Sequence, residues 1–317
     1  MADATIEVQA LTKNYGPHRA IDDLNFTINK GEVVGFLGPN GAGKTTTMKI
    51  ITGFMAPSSG SVKVAGFDVF EDPLEVKKRI GYLPETPPVY GDMSVESYLK
   101  FVAKLKGVAN DRIHDLVEMS IKKTDLFSVR KRLIQNLSKG YRQRVGISQA
   151  LVSDPEVLIL DEPTVGLDPR QVAEVRSLIK ELAGKHTIII STHILPEVQA
   201  SCQRIIIINR GKIVAQDSID RLSNRMSSSG RVHLRVVNVL PSLLKTLSGA
   251  HGVVGIRQPQ ADLFEIDTDG TKETAAQLAA HVVSSGAGLF EMRQESFNLE
   301  DVFLKLTTSE EQQGVVV

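Results

Sequence analysis

The eight residues Gly38-Pro39-Asn40-Gly41-Ala42-Gly43-Lys44-Thr45 constrain this chain more than any others. They match G-x-x-x-x-G-K-[ST] and stand where that pattern has physical meaning. Before them the apolar run Glu32 to Phe36 reads as a strand, and after them a helix begins near Lys44. Glycines let successive backbone N–H groups turn inward around phosphate oxygens, and the helix N-terminus adds a dipole favourable to anions. Gly38, Pro39, Asn40, Gly41, Ala42, Gly43, Lys44, Thr45 and Thr46 are therefore the candidate phosphate-binding stretch. Lys44 would neutralise the β and γ phosphates, and Thr45 would offer an oxygen to Mg2+.

A second signal lies far along the chain. The apolar run Val157 to Leu160 in VLILDEP reads as a strand that delivers Asp161 and Glu162 to the C-terminal edge of a sheet, where open α/β folds bind their ligands. Adjacent side chains on an extended segment diverge, so the two acids can do different work. Asp161 is the candidate magnesium partner, through water, and Glu162 the candidate general base for an attacking water. On its own such an acidic pair could instead merely cap a helix, the weaker of the two readings. A third signal is Leu137-Ser138-Lys139-Gly140-Tyr141-Arg142-Gln143-Arg144, where a serine cap and a glycine open a helix and create another phosphate-receptive helix end.

Short β-branched runs and helical stretches alternate from Ile6 to about Leu222. Buried runs such as VLIL, TIII (from Thr187) and the run Arg204 to Ile208 suit a mostly parallel sheet covered on both faces. Between about residues 87 and 150 the pattern turns purely helical, as in Ser94 to Lys106 and Asp111 to Lys123, which predicts a helical insertion. The polar stretch SNRMSSSG, residues 223–230, reads as a linker. Beyond it the order strand (Arg231 to Asn238), helix (Leu240 to Leu247), two strands around Gln258 to Ala261, helix (Lys272 to Ser284), strand (Gly288 to Arg293) spells βαββαβ, a ferredoxin-like α+β domain over residues 231–307. A last helix is expected from Asn298, with Leu299, Val302, Phe303 and Leu306 on one stripe that packs on its own domain or on a second copy, and a loose polar tail over 308–317.

Composition narrows the function further. The 37 basic and 37 acidic side chains cancel, so the charge excess of a nucleic-acid-tracking protein is missing and nucleic acid is an unlikely partner. The single cysteine, Cys202, can form no internal bridge, so a reducing compartment fits, and it reads as a small core residue rather than a reactive thiol. The N-terminus shows no secretory pattern, and no apolar run approaches the roughly 18–20 residues needed to cross a bilayer. A cytoplasmic location is expected, with any membrane role needing a separate partner.

Taken together, the P-loop, VLILDEP and LSKGY resemble the ATP-binding subunits of ABC transporters, whose signature LSGGQ is similar to LSKGY. The resemblance covers about residues 5 to 220, so the ATP-binding domain is placed over 5–222. It implies a P-loop NTPase fold with a mixed, largely parallel sheet and a helical insertion, ATP and Mg2+ as ligands, ATP hydrolysis, and a homodimer whose subunits face head to tail. Ser138 and Gly140 of one subunit would then meet the γ-phosphate held by Lys44 of the other. The family's positions further imply that Tyr15 in LTKNYG stacks on adenine, that Asp168 in GLD lies at the dimer seam, and that His193 in STH meets the γ-phosphate.

The pattern departs from the family at three places. Glu85 in IGYLPE replaces the glutamine that touches Mg2+ and signals to the transporter; it keeps a metal-binding oxygen and loses the amide donor. Lys139 and Tyr141 replace glycine and glutamine in the signature. The segment SFNLEDVFLKLT, residues 296–307, resembles the extension of bacterial drug-, sodium- or gliding-type exporter ATPases. The implied role is the energy-coupling subunit of an exporter, peripheral on the inner face of the cell membrane, driving a separate permease received by the stretch Pro87 to Lys106. The competing reading is a soluble ABC-type ATPase acting on ribosomes or DNA. Single copies of each motif, the compact insertion and zero net charge favour the transporter, and Glu162 disfavours a protein that holds ATP without turnover.

Overall fold

The computed structural model describes residues 4–222, 230–240 and 243–296. A two-residue turn sets the first event of the fold: β1 (Ala4–Tyr15) and β2 (His18–Asn29) are separated only by Gly16 and Pro17, so the chain must reverse and the strands pair antiparallel. After β3 (Val33–Leu37) and α1 (Lys44–Ile51), the strands β4 (Ser59–Val64) and β5 (Phe67–Asp68) join that hairpin in a four-stranded antiparallel sheet ordered β2-β1-β4-β5. The antiparallel share of the expected mixed, largely parallel arrangement thus falls to a sheet of its own. The reason lies in connection length, because parallel neighbours need a crossover of a dozen or more residues and β1 to β2 has two.

The second sheet is the one that the long apolar runs predict. In chain order follow α2 (Pro73–Arg79), β6 (Ile80–Leu83), α3 (Val95–Leu105), α4 (Asn110–Lys123), α5 (Lys139–Leu151), β7 (Val157–Asp161), α6 (Pro169–Leu182), β8 (Thr187–Thr192), α7 (Leu195–Ser201), β9 (Arg204–Asn209) and β10 (Lys212–Ser218). Six strands are ordered β10-β9-β3-β8-β7-β6, and β9, β3, β8, β7 and β6 run parallel. Every residue of β3, β7 and β8 is buried, which explains why these runs do not alternate in polarity. The register sets Leu37 beside Thr192, Asp161 beside Ser191 and Leu83 beside Leu160. The loops bearing Gly38, Glu85, Glu162 and His193 therefore all leave from one edge.

Helices α3, α4 and α5 share their own core of Tyr98, Leu99, Val117, Ile121 and Val145, among others. Ser94 caps α3 by accepting the Ser97 N–H at 3.2 Å, and the buried Val95, Tyr98, Leu99, Val102 and Ala103 recur at helical spacing. Truncating the fully buried Leu99 to alanine would cost about 2–5 kcal/mol.

The chain divides into two compact units between Asp217 and Ser218. In the second, β11 (Gly230–Val237), α8 (Leu243–Ser248), β12 (Val253–Gln260), β13 (Leu263–Thr268), α9 (Lys272–Ser284) and β14 (Gly288–Ser296) give βαββαβ. The strand order β12-β13-β11-β14, with each pair antiparallel, is the ferredoxin-like arrangement. Val232, Leu234 and Val236 alternate inward against Leu243, Leu247, Leu278 and Val282 of the two helices. Arg231, between them, pairs with Asp267 at 2.8 Å. The two strands expected around 258–261 are β12 and β13, turning at Ala261 and Asp262. The stretch 223–229, the helix expected from Asn298 and the tail 308–317 lie outside the described residues.

Candidate nucleotide site

The loop Gly38–Gly43 joins β3 to α1, and two of its glycines are there for stated reasons. Gly41 and Gly43 have φ of 81° and 107°, and a Cβ on Gly43 would lie 2.8 Å from the Ala20 carbonyl oxygen. The turn therefore needs residues without side chains. Just after it, Lys44 is 6% exposed, and its Nζ donates to the carbonyls of Gly38 at 2.8 Å and Pro39 at 3.2 Å. The ammonium is folded back into its own loop.

A cavity of about 610 Å³ opens at this point, lined by Tyr15, Asn40, Gly41, Gly43, Lys44, Thr45, Thr46, Glu85, Glu162 and His193 of the expected residues, together with His18, Ala20 and Val165. Gly38, Pro39 and Ala42 belong to the loop but not to the lining. Tyr15 sits half-exposed at the rim, its hydroxyl 2.9 Å from Met55 Sδ and the Lys13 ammonium 5.4 Å from its ring centre. His18 was not singled out by sequence; its placement follows from the tight β1–β2 turn, which returns the chain beside Tyr15.

Glu162 faces the same cleft. It directly follows β7 and has a left-handed φ of 49°, a conformation that costs a residue other than glycine about 1–2 kcal/mol. Its N–H donates to the Ser191 carbonyl at 2.8 Å, which anchors the turn to β8. The carboxylate, almost wholly buried, lies 3.0 and 3.1 Å from His193 Nδ1, 3.6 Å from Lys44 Nζ and 3.3 Å from the Thr192 hydroxyl. Sequence placed these groups at positions 44, 162 and 193, and the parallel register brings them together.

Asp161 is fully buried, and neither carboxylate oxygen has a hydrogen-bond partner; the Ser191 hydroxyl beside it is also unpartnered. Its charge, after burial, contributes to pushing the Tyr82 hydroxyl pKa upward. A buried carboxylate left without donors is costly unless a cation or its water shell completes it, so Asp161 fits a magnesium site. Thr45 and Glu85 supply oxygens on the cavity wall. Among the described residues no group of three or more His, Cys, Asp or Glu is assembled for a metal.

Ser138, Gly140 and Asp168 are not part of this lining. Ser138 caps α5, accepting the Tyr141 N–H at 3.3 Å, and so leaves its own O–H free to donate. Gly140 is held against Gln171, where a side chain would collide, and Asp168 forms a reciprocal capping box with that same Gln171 at the start of α6. Glu85 and Lys139, two of the departures noted above, line a second cavity of about 440 Å³ together with Arg142.

A P-loop at a helix N-terminus, faced by a buried acidic pair and a histidine on a parallel sheet, defines a nucleoside triphosphatase of the P-loop class. The model of the family described as ABC transporter matches residues 21–165. The chain is 33% identical over 312 residues to the bacitracin transport ATP-binding protein BcrA of Bacillus licheniformis, covering 95% of this chain and 96% of that one. It is 28% identical over 304 residues to the linearmycin resistance ATP-binding protein LnrL of Bacillus subtilis, covering 95% and 98%. A solved ATP-binding subunit of an ABC transporter superposes with a TM-score of 0.64 at 29% identity, over 70% of this chain and 92% of that one. The chain belongs to the ABC transporter ATP-binding family. No helix among the described residues is long and apolar enough to cross a membrane.

Proposed function

We propose that the protein binds and hydrolyses ATP as the energy-coupling subunit of an exporter-type ABC transporter, paired head to tail with a second copy beneath a separate permease. One observation carries this reading: the ammonium of Lys44, the carboxylate of Glu162 and the imidazole of His193 meet in one cleft at the N-terminus of α1.

The geometry suits the reaction ATP + water → ADP + phosphate. Lys44 donates to neutral carbonyl oxygens and lies 3.6 Å from Glu162, so the charged oxygens of a triphosphate entering the loop can take over its donors. Glu162 accepts the proton of the attacking water, and its burial keeps competing solvent away. His193, 41% exposed at its side chain, holds the carboxylate on one side and faces the γ-phosphate position on the other. Thr45 and Asp161, with Glu85 from the β6 loop, would hold magnesium, which when bound neutralises charge on the β and γ phosphates. Tyr15 offers its ring to the adenine at the rim.

Ser138, Gly140 and Asp168 lie outside their own subunit's cleft, and the head-to-tail pair gives them work: the free Ser138 O–H and the α5 N-terminus would close on the partner's γ-phosphate. ATP then favours the closed pair, and hydrolysis releases it. For the permease, we place the docking face on the groove of about 340 Å³ that Tyr90, Tyr98, Phe101 and Leu105 line within the stretch Pro87 to Lys106. Tyr90 is 54% and Leu105 70% exposed, an apolar surface that a membrane partner could cover. The bacitracin transport relative supports the transporter assignment, and exit from the side where ATP is made fits the resistance relative. Size-exclusion chromatography with ATP and Mg2+ tests the reading: Glu162→Gln should run as a dimer and Lys44→Ala, stripped of ATP affinity, as a monomer. A Glu162→Gln protein that stays monomeric overturns the scheme.

A further inference from the structure

Outside the cleft, one buried carboxylate has no assigned task. Glu197, in the first turn of α7, is 6% exposed, and among the described residues no cation lies within ion-pairing distance of it. Both of its oxygens are instead met by hydroxyls: Thr164 Oγ1 donates to one at short range, and Thr192 Oγ1 donates to the other at 2.9 Å. A buried carboxylate without a counter-ion is destabilising compared with an apolar side chain of similar size, so stability does not account for it.

What the two threonines do elsewhere points to the task. Thr192 ends β8, accepts the Ile194 N–H at 3.1 Å, and directly precedes His193. Its hydroxyl also lies 3.3 Å from Glu162 Oε2. A hydroxyl has one proton, and the shorter contact is the one to Glu197, so Glu197 takes it. Glu162 is thereby left to its contacts with His193 and Lys44. Thr164 sits in the loop that leaves Glu162 and ends at Asp168, the cap of α6. Glu197 thus ties three pieces of backbone to one point: the turn bearing His193, the loop from Glu162 to Asp168, and α7.

We infer that Glu197 is a positioning residue for ATP hydrolysis, which acts through Thr192 and Thr164 to hold His193 and the Glu162–Asp168 loop in register without touching nucleotide. This rests on the ATPase reading above. Glu197→Gln preserves size but replaces one acceptor oxygen with an amide donor, so one of the two threonine bonds must be lost or reversed. Steady-state phosphate release should fall about 10- to 100-fold in kcat, the range seen when a partner one step removed from a site is lost, while KM for ATP stays within about twofold. A tether that served folding alone would move the melting temperature and leave this split unseen.

The second arm uses Thr192. Thr192→Val should reproduce part of the kcat loss, Thr192→Ser should restore most of it, and the Glu197→Gln/Thr192→Val pair should lose clearly less than the product of the two single losses, because both remove the Thr192 bond while only Glu197→Gln also disturbs Thr164. This arm stands if Glu197→Gln does not fold. Losses that multiply in the double variant, or a Glu197→Gln protein with wild-type kcat, overturn the inference while leaving the ATPase reading intact. Absence of phosphate release from the wild-type protein would instead overturn the ATPase reading.

Discussion

Replacing Glu162 by glutamine separates binding from turnover, and the structure sets the sign of each change. The carboxylate is 3.6 Å from the Lys44 ammonium, and both side chains are less than a tenth exposed. At an effective dielectric constant near 20 this distance corresponds to about 4–5 kcal/mol of gross attraction, most of it offset by the desolvation of both ions. Lys44 must release that attraction to reach phosphate, whereas glutamine has none to release, and the carboxylate's repulsion of the γ-phosphate disappears as well. If about 1.4 kcal/mol of this survives, ATP binds roughly tenfold tighter. Turnover moves the other way, because the amide cannot accept a proton, and a positioned general base contributes about 10²–10⁴ in rate. A fluorescent ATP analogue titrated against the variant reads the affinity, and phosphate release reads the rate. The reasoning fails if affinity and turnover fall together, since that would make Glu162 a structural or binding group.

Glu85→Gln should keep phosphate release by the isolated protein within about threefold of wild type, because either side chain presents an oxygen to the cleft; a collapse in turnover would assign the carboxylate a chemical role of its own. Gly43→Ala should lower stability by about 2–3 kcal/mol, or roughly 4–12 °C in melting temperature for a unit of this size, and abolish ATP binding, since its φ of 107° and the Ala20 carbonyl both reject a Cβ. Calorimetry showing an unchanged melting temperature would refute the loop account. His186 is 2% exposed, its Nδ1 lies 2.7 Å from the Pro155 carbonyl, and its Nε2 accepts or donates no hydrogen bond, with Asp154 Oδ1 at 3.9 Å, so burial outweighs these partners and holds its pKa below the ordinary 6.5. The unfolded chain then takes up this proton first as pH falls, so the stability present above 6.5 drains away below it, towards the lowered folded value. His186→Asn should flatten the fall in melting temperature between about pH 7 and pH 5; an identical slope would mean that other groups set it.

Much of the architecture was legible because it is written locally. The parallel sheet follows from apolar runs too continuous for a half-exposed strand, and the amphipathic α3 and α4, the first capped by Ser94, follow from spacing. The βαββαβ order of the second unit follows from alternation and turns. The separate antiparallel sheet was not anticipated, although the two-residue Gly16–Pro17 connection already excluded a parallel β1–β2 pair.

Gly38–Thr45, Asp161 and Glu162 announced a phosphate site by residue type and by their place at strand ends, so the amino-acid sequence alone determined that this protein grips a triphosphate. Which side chains confront each other was decided only by tertiary structure. No local pattern says that Lys44 stands 3.6 Å from Glu162, or that Glu197 receives one threonine hydroxyl from the end of β8 and another from the loop after Glu162. Those distances depend on the register between β3, β7 and β8, and register is set by the packing of whole buried strands against helices on both faces.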